Sequence, residues 1–98
     1  MAVELVIDTF EPRLGEHFTA TPSLGDAPLD LELSRCEQSP HARPGHADFA
    51  LVFLAPGPEH HDQQIFSVEH PDLGGFDLFL VPLGPQDGRM VYEAVVNN

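Results

Sequence analysis

Hydrophobic and polar positions alternate along most of this chain. In "PLDLELSRC" (28–36), Leu29, Leu31 and Leu33 share one face and Asp30, Glu32, Ser34 and Cys36 the other. A period of two marks a half-buried strand of an antiparallel sheet. "GEHFTAT" (15–21) reads as a shorter strand before it, and the stretch from Pro22 to Pro28 as a Gly/Pro turn. "DFALVFLA" (48–55) is continuously apolar and rich in Phe, which predicts a central strand. "QQIFSVEH" (63–70) alternates again, with Phe66 and Val68 on one face. "GFDLFLVPL" (75–83) and "RMVYEAVVN" (89–97) complete the set.

The connections predict hairpins and surface loops. "HPDLGG" (70–75) and "GPQDG" (84–88) carry the Pro, Asp and Gly chemistry of tight turns. The longer links, 37–47 and 56–62, are rich in Pro, Gly and His and read as surface loops. "DTFEPRLG" (8–15) predicts one helical turn, with Asp8 as N-cap, Glu11 at its third position and Gly15 as the stop. The expected fold is all-β: a small six-stranded antiparallel barrel or sandwich with one short N-terminal helical turn.

Two strands depart from simple alternation. In 75–83, Phe76, Leu78 and Leu80 face one way, and Phe79, Val81 and Leu83 the other. In 89–97, Met90, Tyr92, Ala94 and Val96 lie opposite Val91, Glu93 and Val95. A small sheet has one interior, so a second apolar face calls for a cover. The N-terminal residues Val3, Leu5, Ile7, Phe10 and Leu14 are one candidate cover, and another protein or a second copy is the other. Phe79, Val81, Leu83, Val91 and Val95 are therefore the candidate interface residues.

Composition narrows the choice of partner. The 98 residues make a single β domain, 1–98, with room for one modest core. Sixteen acids face four arginines and no lysine, a formal charge of −12. Nucleic acid and anionic membrane both need a basic footprint, so neither is an expected partner. Cys36 is alone, and "MAVELVIDTF" lacks a basic leader and is interrupted by Glu4 and Asp8. Both features point to a reducing, cytoplasmic setting.

Candidate chemistry is sparse. His41 and His46 fall in one loop, and "EHHD" (59–62) places His60 and His61 between carboxylates in another. Adjacent histidines in an extended loop point apart, so His60 and His61 are weak metal candidates, and no metal or other cofactor is expected. The chain has no G-x-S-x-G elbow, no G-x-G-x-x-G and no phosphate-binding loop, and catalysis is not expected. Glu69-His70 is the remaining pair. His70 is in phase with Phe66 and Val68 and should point inward, bonding backbone groups where the hairpin opens, while Glu69 faces solvent. That makes His70, Pro71 and Gly74 a structural corner rather than an acid/base site.

Five blocks carry a family resemblance: "F-E-P-x-x-G-x-x-F" (Phe10 to Phe18), "F-A-L-V-F-x-x-P" (Phe49 to Pro56), "V-E-H-P-x-L-G" (Val68 to Gly74), "F-L-V-P-L-G-P" (Phe79 to Pro85) and "Y-E-A-V-V-N" (Tyr92 to Asn97). In order and spacing they resemble a family of small bacterial domains of unknown function, some associated with phage-tail-collar-like proteins. Phe10, Gly15, Phe18, His70, Pro71, Gly74, Pro82 and Tyr92 carry the match, and the resemblance implies turn, corner or core roles and no catalytic residues. The expected function is a non-catalytic barrel acting through protein contacts, with a protein partner or homo-oligomer, as an adaptor or assembly component of a phage-tail-like structure. The alternative is a barrel that binds metal or a small ligand through its loop histidines.

Overall fold

The computed structural model describes residues 5–25, 27–38 and 48–97, apart from the Asn97 side chain. Val3, His41 and His46 lie outside the described residues. A helical turn α1 (Ile7–Phe10) runs into a tighter 3-10 turn (Glu11–Arg13). Six strands follow: β1 (His17–Pro22), β2 (Leu29–Gln38), β3 (Asp48–Leu54), β4 (Gln64–His70), β5 (Gly74–Gln86) and β6 (Arg89–Asn97). They form a closed antiparallel barrel in the order β1-β2-β3-β6-β5-β4, with β1 pairing back onto β4. No helix among the described residues is long and apolar enough to cross a membrane.

Strand phase fills the barrel. Phe18 and Ala20, Leu31 and Leu33, Phe49, Leu51 and Phe53, Phe66 and Val68, Leu78 and Leu80, and Tyr92, Ala94 and Val96 are all buried in one cluster. In the alternating strands these are the inward positions that the pattern predicts, whereas in the continuously apolar β3 only the structure separates the faces, and its outward Val52 is buried too.

The N-terminal segment does something other than cover the outside. Phe10 is fully buried, its ring centroid 5.7 Å from Phe76, 6.1 Å from Phe49 and 6.4 Å from Phe18. Leu5 and Ile7 pack against the same core, while Leu14 stays half exposed. The segment closes an end of the barrel, where inward side chains would otherwise meet water. The helix also starts two residues earlier than its sequence suggests: Val6 occupies the N-cap, with no side-chain cap, and Asp8 lies inside the first turn. Burial of Phe10 sets this helix, not capping chemistry.

Two bulges revise the strand boundaries. Between Leu33 and Arg35 the register with β3 shifts, so Ser34 is the extra residue and Cys36 lies opposite buried Leu51. Cys36 therefore packs against the core instead of sharing the polar face of Asp30 and Glu32. A bulge displaces the phase of everything beyond it. Burial, with the Glu11 carboxylate adding to it, pushes the Cys36 thiol from 9.0 up to about 11. The second bulge lies between Pro82 and Gly84, where Gly84 takes φ +111. It lets β5 run on to Gln86, so the final hairpin turns on Asp87 and Gly88 alone, with φ of 54 and 79. Two left-handed residues are the signature of a type I′ turn, which suits the twist of paired strands.

Two outcomes test this arrangement. Phe10→Ala should destabilise the protein by about 3–5 kcal/mol, as for a buried aromatic, and Leu14→Ala by less than ~0.5 kcal/mol. Denaturant titration compares them, and equal small shifts would show that the end closure is not part of the cooperative core. For Cys36, a rise of two pKa units predicts roughly hundredfold slower alkylation by iodoacetamide at neutral pH in the native protein than in denaturant. The sign for stability follows: the folded chain holds this proton more tightly, so the contribution is intact below pH 9.0 and declines as pH rises toward 11.

Candidate functional site

The Glu69-His70 corner is built by the β4–β5 hairpin. His70 and Gly74 face each other across a turn of Pro71, Asp72 and Leu73, closed by the Leu73 N–H donating to the His70 carbonyl at 3.2 Å. Gly74 takes φ +78, which a side chain would resist. His70 is buried, and its Nδ1 accepts the Asp72 N–H at 3.0 Å. Because Nδ1 accepts, Nε2 carries the proton and donates to Glu16 Oε1 at 2.7 Å. The imidazole also lies 4.7 Å from the Phe18 ring. Glu69 is exposed on the opposite face, in register with Gly75 and Thr19. The two side chains diverge, and both nitrogens of His70 are occupied. Beside them a hollow of about 340 Å³ is lined by Thr19, Glu69, His70, Pro71, Gly74 and Gly75.

Sequence phase places His70 inward, but nothing in the linear pattern pairs it with Glu16. Two other polar anchors escape a sequence reading. Gln64 is buried, accepts the Leu24 N–H at 3.0 Å and donates to the Asp62 carbonyl at 3.0 Å. Its signal was its phase with Phe66, Val68 and His70. Arg89 donates through Nε to the Ala55 carbonyl at 2.8 Å and through Nη1 to Glu32 at 3.1 Å.

Of the loop histidines, His60 and His61 lie among the described residues and are engaged separately. His60 Nε2 lies 3.2 Å from Asp62 Oδ1 on the surface. The His61 backbone N–H donates to the Tyr92 hydroxyl at 3.2 Å. Among the described residues, no group of three His, Cys, Asp or Glu side chains is placed to hold a metal. Burial pushes the Tyr92 hydroxyl above its ordinary value, opposed by the His61 amide.

The outward face of β4, β5 and β6 is the other feature of note. Ile65 of β4 lies directly across from Phe79 of β5, and Val81 lies across from Glu93 of β6. Ile65, Phe79, Leu83 and Val95 are 51%, 49%, 55% and 61% exposed, and Val81 is half-buried. Val91, counted with this face by its phase, is only 8% exposed. It sits inside the sheet, in register between Leu54 and Gly84 beside the β5 bulge, and offers a partner little surface. Ile65 takes its place, a neighbour that only the β4–β5 register reveals. Across β3 to β6 the acids are Asp48, Glu69, Asp77 and Glu93, and the one arginine is Arg89.

Fold and face together define a small closed β-barrel with a plugged end and a two-sided apolar wall. The chain belongs to the family described as a domain of unknown function, DUF6916, whose family model matches residues 5–96. No curated protein and no solved structure matches it.

Replacing His70 with Ala should leave the Asp72 N–H and the Glu16 carboxylate without their partner, costing on the order of 1–3 kcal/mol. His60→Ala should cost within ~0.5 kcal/mol. Denaturant melts compare the two, and a negligible loss for His70 would reopen it as a reactive group. Elemental analysis of untagged protein dialysed against a mild chelator should find no stoichiometric zinc or nickel. Retained metal would shift the reading to the loop histidines.

Proposed function

We propose that this domain is a non-catalytic barrel that acts through protein contact, as an adaptor or assembly component, using the outward face around Phe79. One observation carries the reading. Ile65, Phe79, Leu83 and Val95 remain about half exposed while the core is filled and the N-terminal segment is committed to the barrel end. Contiguous exposed apolar surface of this kind commonly marks an interaction site. The occupied nitrogens of His70 support a structural role for the corner. The family resemblance carried by the sequence blocks from Phe10 to Asn97 is what implies a phage-tail-like assembly as the setting.

Magnitudes limit what the four side chains do unaided. Full burial of each is worth about 1.5–3 kcal/mol, and roughly half is already realised in the free barrel. The remainder, about 3–6 kcal/mol in total, does not comfortably exceed an association cost of ~4–15 kcal/mol. A tight contact therefore needs polar contributions as well.

The double variant Ile65→Asp, Phe79→Asp changes only outward side chains and should keep the wild-type circular dichroism spectrum at 25 °C, with a melting temperature lowered by roughly 10–20 °C through the lost half-burial of the two side chains. In parallel affinity purifications from the native host, proteins held by the wild type should be lost from the variant. An identical retained set from both would overturn the assignment of this face.

A further inference from the structure

We propose that the partner of this face is a different protein whose apolar surface carries arginine or lysine at its centre and rim, not a second copy of this chain. The inference rests on the protein-contact reading above and adds the partner's chemistry. Three observations lead to it.

The first is the sign of the face. Asp48, Glu69, Asp77 and Glu93 are the acids of β3 to β6, and none takes part in an ion pair among the described residues. The single base of those strands, Arg89, sits at the far hairpin and is held by Glu32 and the Ala55 carbonyl. The second is the position of Glu93. It is half-buried, in register between Val81 of β5 and Val52 of β3, so it lies within the apolar stripe rather than beside it. A partner that covers this stripe with apolar groups alone strands a carboxylate away from water, which is costly. A guanidinium satisfies it with paired hydrogen bonds. The third is the hollow of about 340 Å³ at one end of the same wall, where Gly75 leaves space beside Glu69. It has room for the long side chain of a lysine or arginine, with a carboxylate in its lining.

A second copy fails on the same observations. A two-fold contact presents the same patch from both sides, so acids meet acids. The chain has no lysine, and the described arginines are engaged at home: Arg13 with the Thr9 carbonyl, Arg35 with Glu37, and Arg89 with Glu32. The net charge of −12 opposes self-association and steers a basic partner inward.

The probes are three cyclic β-hairpin peptides with the same leucine face and with arginine, serine or glutamate at the flanking positions. Each is titrated into isotope-labelled protein and followed by amide chemical shifts at low and high salt. The arginine peptide should shift the signals of Ile65, Phe79, Glu93 and Val95 and bind at least about tenfold tighter than the serine peptide, with the advantage shrinking at high salt. The triple variant Glu69→Gln, Asp77→Asn, Glu93→Gln should remove that advantage and leave serine-peptide binding unchanged. Equal binding of the arginine and serine peptides at this face would overturn the charge assignment while leaving the docking reading intact. Shifts scattered over the acidic surface, or an advantage that survives the triple variant, would show nonspecific attraction and overturn it too. So would a wild-type dimer in sedimentation that Phe79→Asp converts to monomer, which would make the occupant a second copy. Loss of all binding here, with host proteins still retained through Phe79, would overturn the partner chemistry alone.

Discussion

Closure of the barrel rests on a short ladder, the four pairs from Thr19 and Glu69 to Pro22 and Phe66 that join β1 to β4. Without it the six strands form an open sheet with two exposed edges, which invites pairing with other chains. So short a ladder supplies few hydrogen bonds of its own, and the buried polar side chains of the described residues sit at its two ends. His70 holds one end, linking Glu16 just before β1 to the turn after β4. Gln64 holds the other, receiving the Leu24 amide just after β1, next to a Ser23 N–H that donates to the Ile65 carbonyl at 3.1 Å. Buried polar groups are expensive unless satisfied, and here both are satisfied by the element that must be held in place. The polar corner and the buried glutamine are thus two clamps on one seam.

Closure also determines what the outside is free to do. A closed barrel has one interior, and the phenylalanines of β1, β3 and β4 fill it together with Phe10 from the N-terminal turn. Because that turn is used as an end plug, the apolar outer wall of β4 to β6 keeps its exposure. The same wall holds acids and lacks a free base, which is why the partner proposed for it is one of opposite charge. Interior and exterior are coupled through a single allocation of apolar side chains.

Local periodicity was enough to determine the phases of the alternating strands, hence most inward residues, the outward set Phe79, Leu83 and Val95, and the inward direction of His70, but not the phase of the continuously apolar β3. Side chains alternate by local backbone geometry, so those features need no knowledge of neighbours. The tight turns were legible for the same reason, since Pro, Asp and Gly act on their own φ and ψ. What tertiary structure decided was everything that depends on a partner strand. Which strands meet placed Glu16 on His70 and Ile65 beside Phe79, across separations along the chain that no local pattern records. The bulge at Ser34 turned Cys36 inward because β3 demanded a different register, and the position between Leu54 and Gly84 buried Val91 despite its outward phase. Phe10 went into the barrel's end because closure created an apolar opening there. Alternation is a property of one strand, whereas register, closure and burial are properties of several strands at once.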